Sequence, residues 1–127
     1  MSDSIVTSRA NDGAGAAEVT VIMVSYNTRE LTLKAIETLL RNAGDVSFKL
    51  VVWDNASADG SADAIAERFP EIELIRSAEN VGFAMANNIV AEAAETEWLL
   101  LLNPDTETHP AAVENLLAFA KANPQAG

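Results

Sequence analysis

The stretch Trp98-Leu-Leu-Leu-Leu102-Asn-Pro-Asp105 decides the fold. Residues 98–102 are apolar without alternation. A strand with one solvated face alternates apolar and polar side chains. A strand apolar on both faces belongs in the middle of a parallel sheet that carries helices on each side. Pro104 forces an extended or turn geometry on Asn103. Asp105 is thereby projected off the strand's carboxyl end.

Working outward, the chain alternates two patterns. Val19-Thr-Val-Ile-Met-Val-Ser25 is apolar and rich in β-branched residues. Residues 28–43 then show helical spacing, with Leu31, Ala35 and Leu39 on one stripe and Ile36 and Leu40 beside it. Asn27 or Thr28 can cap this helix, Asn27 being preferred, and Gly44 can stop it. A strand is expected over 48–53, a helix over 60–69 stopped by Pro70, a strand over 72–76 and a helix over 83–94. After the 98–102 strand, a last helix over 110–122 has Pro at its first turn and Pro124 after its end. The order is β-α-β-α-β-α-β-α. It predicts an α/β fold, a parallel, doubly wound Rossmann-like sheet with helices on both faces. Residues 1–17, rich in Ser, Ala, Gly and Asp, read as a disordered tail before a domain over 18–127.

Composition narrows the function. The chain has 127 residues and a formal net charge of -11. Such acidity argues against a nucleic-acid binder, which needs a basic face, and against docking on anionic lipid. The absence of Cys excludes disulfides, Cys-ligated zinc and thiol nucleophiles, and fits a reducing cytoplasm. No apolar run reaches the roughly 20 residues of a membrane span. An anionic ligand would have to be held by helix N-termini, backbone amides or a bound cation.

Ligands on open α/β sheets bind beyond the carboxyl ends of the strands, near the point where strand order reverses. Four loops fall there: Ser25-Tyr26-Asn27, Asp54 to Ser57, Ser77 to Gly82, and Asn103 to Asp105. Asp54 reads either as an acceptor for a ribose or base edge or as a turn residue. Asp105 reads either as a hard oxygen ligand for magnesium or manganese or as a cap for the last helix. Tyr26 can stack on a base or pack at a strand end. Gly82-Phe83 opens a helix that could approach a phosphate, but there is neither G-x-G-x-x-G nor Walker A. Asn87 or Asn88, inside that helix, needs a hydrogen-bonding partner. His109 reads as an exposed or capping residue, with a second metal ligand as the sharper alternative.

Four segments occur in order: Val19 to Asn27, Val51-Val-Trp-Asp-Asn-Ala-Ser-Ala-Asp-Gly-Ser61, Asn80-Val-Gly-Phe-Ala-Met-Ala-Asn-Asn88 and Leu99-Leu-Leu-Leu-Asn-Pro-Asp105. Together they resemble the N-terminal nucleotide-binding half of family-two glycosyltransferases of the GT-A fold. The branch they most resemble is the rhamnosyltransferase-like one, which carries Asn-Pro-Asp where others carry Asp-x-Asp. The resemblance implies a nucleotide-sugar site made by Ser25, Tyr26, Asn27, Asp54, Asn80, Gly82, Phe83, Asn103 and Asp105. It implies that Tyr26 lines the base pocket, Asp54 accepts from base or ribose, and residues 80–83 shape the sugar and diphosphate pocket. Asp105 would hold a divalent metal, Mg or Mn, on the diphosphate; Asn103 removes one acidic ligand. Between Ser77 and Ala120 there is no Lys or Arg, so the cation would have to meet the phosphate charge.

The implied reaction moves a sugar from a nucleotide-diphosphate donor, dTDP-rhamnose or a UDP-sugar, to an acceptor hydroxyl with inversion. The implied acceptor is a glycan or a lipid-linked glycan in cell-wall polysaccharide biosynthesis. The implied location is the cytoplasm, at the inner membrane face through further parts or partners. The general base is expected beyond Gly127, in an acceptor half that follows the end of this chain. Alternatively the chain is a non-catalytic nucleotide-binding or interaction module. The unfinished sheet edge offers a surface for pairing with a second copy. A phosphoacceptor receiver domain has similar length, but it needs acidic residues after its first strand and a late Lys. Here that strand ends Ser25-Tyr26-Asn27, and Lys121 lies in the last helix.

Overall fold

A computed structural model describes residues 5–8, 17–43, 46–105, 107–109 and 112–122. Its elements are β1 (Ile5–Ser8), β2 (Val19–Ser25), α1 (Arg29–Asn42), β3 (Phe48–Asp54), α2 (Ser61–Arg68), β4 (Glu73–Arg76), α3 (Phe83–Ala93), β5 (Trp98–Leu101) and α4 (Ala112–Ala122). Every expected helix and strand is present within two residues of its predicted bounds. Gly44, Pro110 and Pro124 lie outside the described residues.

One element corrects the sequence reading. Residues 5–8, expected as part of a disordered tail, form β1, which pairs antiparallel with β5 from Ile5 opposite Leu101 to Ser8 opposite Trp98. Its Ile-Val-Thr core is β-branched and suits a pleated surface. An antiparallel edge strand on an otherwise parallel sheet is common, and this one covers an edge of β5.

The sheet runs β1-β5-β2-β3-β4. From β2 the order steps outward to β3 and β4, all parallel, then returns to place β5 on the other side of β2. The reversal therefore lies between β2 and β5. Alternate residues of each strand serve opposite faces. Val21, Met23, Leu50, Val52, Leu100 and Leu102 face α1, α2 and α4, where Ile36, Leu39, Ile65 and Leu117 cover them. Ile22, Val24, Val51, Trp53 and Leu99 face α3, where Ala86 and Val90 cover them.

The buried face of α1 is made by Thr32, Leu33, Ala35, Ile36, Thr38 and Leu39. Leu31 and Leu40, expected along or beside the apolar stripe, are instead 51% and 39% exposed. Two threonines enter the apolar face because each hydroxyl has a partner: Thr32 bonds Ser25 at 3.0 Å, and Thr38 donates to the Ala35 carbonyl at 3.2 Å.

Candidate functional site

The carboxyl ends of β5, β2 and β3, and the loop after β4, form one crevice. Its spatial order is 103–105, 25–27, 54–60 and 77–82, which follows from the strand order. The Leu102 amide donates to the Ile22 carbonyl at 2.9 Å, so sheet pairing carries on to the residue before Asn103. Asn103 is half-buried and Asp105 exposed. The chain beyond is anchored to α1: the Thr108 amide donates to Thr38 Oγ1 at 2.9 Å, and Asn42 Nδ2 donates to the Thr108 carbonyl at 2.8 Å. His109 is exposed, and its carbonyl accepts the first amide of α4 at 3.1 Å. Among the described residues no three His, Asp or Glu side chains gather as a metal cage.

At the end of β2, Ser25 is fully buried. Its hydroxyl meets Thr32 Oγ1 at 3.0 Å and Thr28 Oγ1 at 3.5 Å, so it points into α1 rather than into the crevice. Tyr26 is 48% exposed. Asn27 has a left-handed backbone, φ 52°. The expectation that it caps α1 is corrected. Its side-chain oxygen accepts from the Ala58 amide at 2.7 Å, and its own amide donates to Ser57 Oγ at 2.9 Å. Asn27 therefore staples the first loop to the second.

At the end of β3, the Asp54 carboxylate is buried. One oxygen accepts from the Ser57 amide at 3.0 Å and the other from the Ser57 hydroxyl at 2.7 Å. This is the turn role that the sequence left open beside ligand binding. A carboxylate oxygen has room for a second donor, so the turn bonds and a ligand bond are compatible.

Two residues of this loop were not singled out from the sequence. Asn55 is buried, and its Oδ1 accepts from Trp53 Nε1 at 3.1 Å and from the Val81 amide at 3.0 Å, while its own amide donates to the Ser25 carbonyl at 2.8 Å. It ties three of the four loops together. Asp59 accepts from the Arg29 amide at 3.1 Å and from the Ser61 amide at 3.0 Å, and it also bonds the Ser61 hydroxyl. The Ser61 hydroxyl, and then the Arg29 and Ser61 amides, hold its carboxyl below the usual range against the opposing effect of desolvation. Only the Asp-Asn-Ala-Ser-Ala-Asp-Gly-Ser composition hinted at either residue, through its turn-forming character.

In the fourth loop, Asn80 Oδ1 accepts from the Gly82 amide at 2.8 Å, which folds the turn before α3. Gly82 has φ 89° and ψ 162°, a backbone essentially restricted to glycine. A Cβ there would meet nothing within 4 Å, so the space beside this backbone is open. No side chain caps α3, and its first amides face the crevice end of the sheet. Phe83 is 53% exposed. Asn87 answers its expected need locally, donating to the Phe83 carbonyl at 3.1 Å. Asn88 is exposed.

A groove of about 500 Å³ lies at the opposite end of the sheet beside α3, lined by Thr20, Lys49, Val51, Glu73, Ile89 and Thr96. It holds no cluster of reactive side chains, and the strand-end crevice is the better candidate on chemistry and topology. No helix among the described residues is long and apolar enough to cross a membrane.

Comparison with known proteins agrees with this geometry. The sequence profile of Glycosyl transferase family 2 matches residues 20–127. The N-acetylglucosaminyl-diphospho-decaprenol L-rhamnosyltransferase of Mycobacterium tuberculosis is 31% identical over 118 residues, covering 84% of this chain and 38% of that protein. The succinoglycan biosynthesis protein ExoO of Rhizobium meliloti is 30% identical over 106 residues, covering 83% and 30%. Among solved structures, the mannosyltransferase PcManGT from Pyrobaculum calidifontis, in complex with GDP-Man and Mn2+, superposes with a TM-score of 0.72 at 26% identity, covering 87% of this chain and 34% of that one. TarS 1-349 of S. aureus, in complex with UDP-GlcNAc, has the same fold, with a TM-score of 0.71 at 21% identity and coverage of 83% and 31%. The chain thus spans well under half the length of these relatives, and its architecture is that of the GT-A fold. The chain belongs to glycosyltransferase family 2.

Proposed function

We propose that the crevice binds the nucleotide-diphosphate part of an activated sugar and serves as the donor site of an inverting glycosyl transfer to a hydroxyl. The observation that carries this is the reversal of strand order between β2 and β5, which sets Asn103 and Asp105 beside Ser25, Tyr26 and Asn27 with Asp54 one strand further on. Tyr26 offers a ring for the base, and Asp54 an acceptor for base or ribose. Asn80, Gly82 and Phe83 shape the diphosphate and sugar end, where the open space beside Gly82 and the uncapped start of α3 suit an anion.

An exposed carboxylate beside an amide oxygen fits Mg or Mn, which keep water and phosphate oxygens and need only one or two carboxylates from the protein. Asp105 would hold the ion, which would stabilise charge on the leaving diphosphate. In this reading Asp54, bonded to Ser57, and Asp105, given to the metal, are not the general base. The similarity to an L-rhamnosyltransferase and to a succinoglycan biosynthesis protein supports dTDP-rhamnose or a UDP-sugar as donor and a glycan or lipid-linked glycan as acceptor. The decaprenol in the first relative's name is a lipid, and in this reading the work is done at the cytoplasmic face of a membrane.

Thermal unfolding with dTDP or UDP, each with and without Mn2+, tests this reading. A ligand that binds the native state alone must raise the melting temperature. The expected result is a shift that requires the metal and disappears in Asp105→Ala. Nucleotide affinity should also fall in Asp54→Asn. A metal-independent shift, or one that survives Asp105→Ala, refutes the metal assignment. No shift with either nucleotide refutes the donor site.

A further inference from the structure

Helices α1 and α2 both begin at the crevice, and neither is capped by its own N-cap side chain. Thr28 makes no cap bond, its hydroxyl being turned to Ser25 and Thr32. Gly60, at φ 80°, has no side chain to offer. Helix N-termini leave amides that need partners. Here Asp59 supplies both: Oδ2 takes the Arg29 amide at 3.1 Å, and Oδ1 takes the Ser61 amide at 3.0 Å together with the Ser61 hydroxyl. Arg29 Nη1 returns a bond to the Asp59 carbonyl at 3.4 Å. The adjoining residues close a second link, Ala58 to Asn27 at 2.7 Å and Asn27 to Ser57 at 2.9 Å.

Resting on the donor-site reading above, we propose that Asp59 is a positioning residue for that site: its one carboxylate caps two helices and holds the Tyr26–Asn27 turn against the Ser57–Ala58 turn. A negative charge shared by two helix N-termini suits their dipoles. The same clamp fixes the left-handed backbone of Asn27, a conformation that Asn adopts more readily than most L-residues but that still has to be held in one place. Loosening the clamp frees the segment that carries Tyr26. Asp59 touches no part of the proposed ligand itself. It acts through Asn27 and, by way of Ser57, through Asp54.

The test uses the whole chain and the variants Asp59→Ala and Asp59→Asn, with Glu67→Gln as control on exposed α2 surface. Amide hydrogen exchange is followed without ligand, and UDP and dTDP affinity is measured with Mn2+ well below the melting transition. Losing a cap weakens what depends on it by about tenfold. Exchange at the Asn27 and Ala58 amides should therefore quicken by about that factor in Asp59→Ala while core strands stay protected, and nucleotide affinity should drop by a similar factor. Asp59→Asn, which keeps one acceptor, should fall between, and Glu67→Gln should match the wild type. If Asp59→Ala does not fold, the intermediate variant gives the same reading. Folded Asp59 variants with unchanged exchange at Asn27 and Ala58, or with exchange raised uniformly through the core, overturn the proposal. Nucleotide affinity within about twofold of wild type does so too. If the wild-type chain binds neither nucleotide, the donor-site reading fails, and the exchange data still decide whether Asp59 clamps the turn.

Discussion

Asn55 is the residue on which the crevice floor depends. Its amide oxygen receives a buried indole N–H and a partly buried backbone N–H. Truncation leaves two donors without a partner, and each costs about 1–3 kcal/mol. Asn55→Ala is expected to destabilise the chain by about 2–4 kcal/mol in urea titration, by that reasoning. Asn55→Asp, which keeps an acceptor at the same place, should cost less. A loss below about 0.5 kcal/mol would mean that water replaces the amide. Neither Asn55 nor Asp59 was legible as a structural centre in the sequence, because their partners sit on other loops. Asp54 and Asp105 were legible as strand-end carboxylates because an apolar run ends at the residue before Asp54 and, with only Asn103 and Pro104 between, just ahead of Asp105. Asn27 misled because a left-handed turn residue and an N-cap have the same amino-acid preference.

At the scale of elements, α1 divides sharply into a face that holds the sheet and a face that does not. Leu39 is fully buried against the sheet, whereas neighbouring Leu40 is 39% exposed. Leu39→Ala should cost about 2–5 kcal/mol through lost burial and the cavity left behind. Leu40→Ala should cost clearly less than Leu39→Ala, since about two-fifths of Leu40 is already in water while Leu39 is wholly out of it. Equal losses in urea titration would contradict the packing described for α1. Sequence periodicity found this helix but not its exact face, because buried threonines look polar until their partners in space are known. Strand β1 escaped notice for a similar reason. Four residues of modest apolarity become a strand only when β5 is beside them, and local preference cannot announce a partner so distant.

For the molecule as a whole, acidity and topology act together. Seven acidic residues and no Lys or Arg lie between Ser77 and Ala120, and this segment supplies two of the four crevice loops. In the donor-site reading, this segment would meet a phosphate with backbone dipoles and a cation rather than with Lys or Arg side chains. The reversal of strand order has a further consequence, in time rather than in space. Val19 pairs with Phe48 on one side and with Trp98 on the other, and the second partner is about 80 positions away, so its loop closes at greater entropic cost. The β2–β3–β4 side can form from near neighbours, while the seam with β5 waits for the most distant partner. The crevice lies on that seam, so it is completed at the end of assembly. Contacts absent from the folding transition state slow unfolding and leave folding unchanged. Stopped-flow measurements with saturating nucleotide and Mn2+ should accordingly show a slower unfolding limb and an unaltered folding limb. Acceleration of folding would place β5 in the nucleus. The part of the chain proposed to hold the ligand would then be among the first to form.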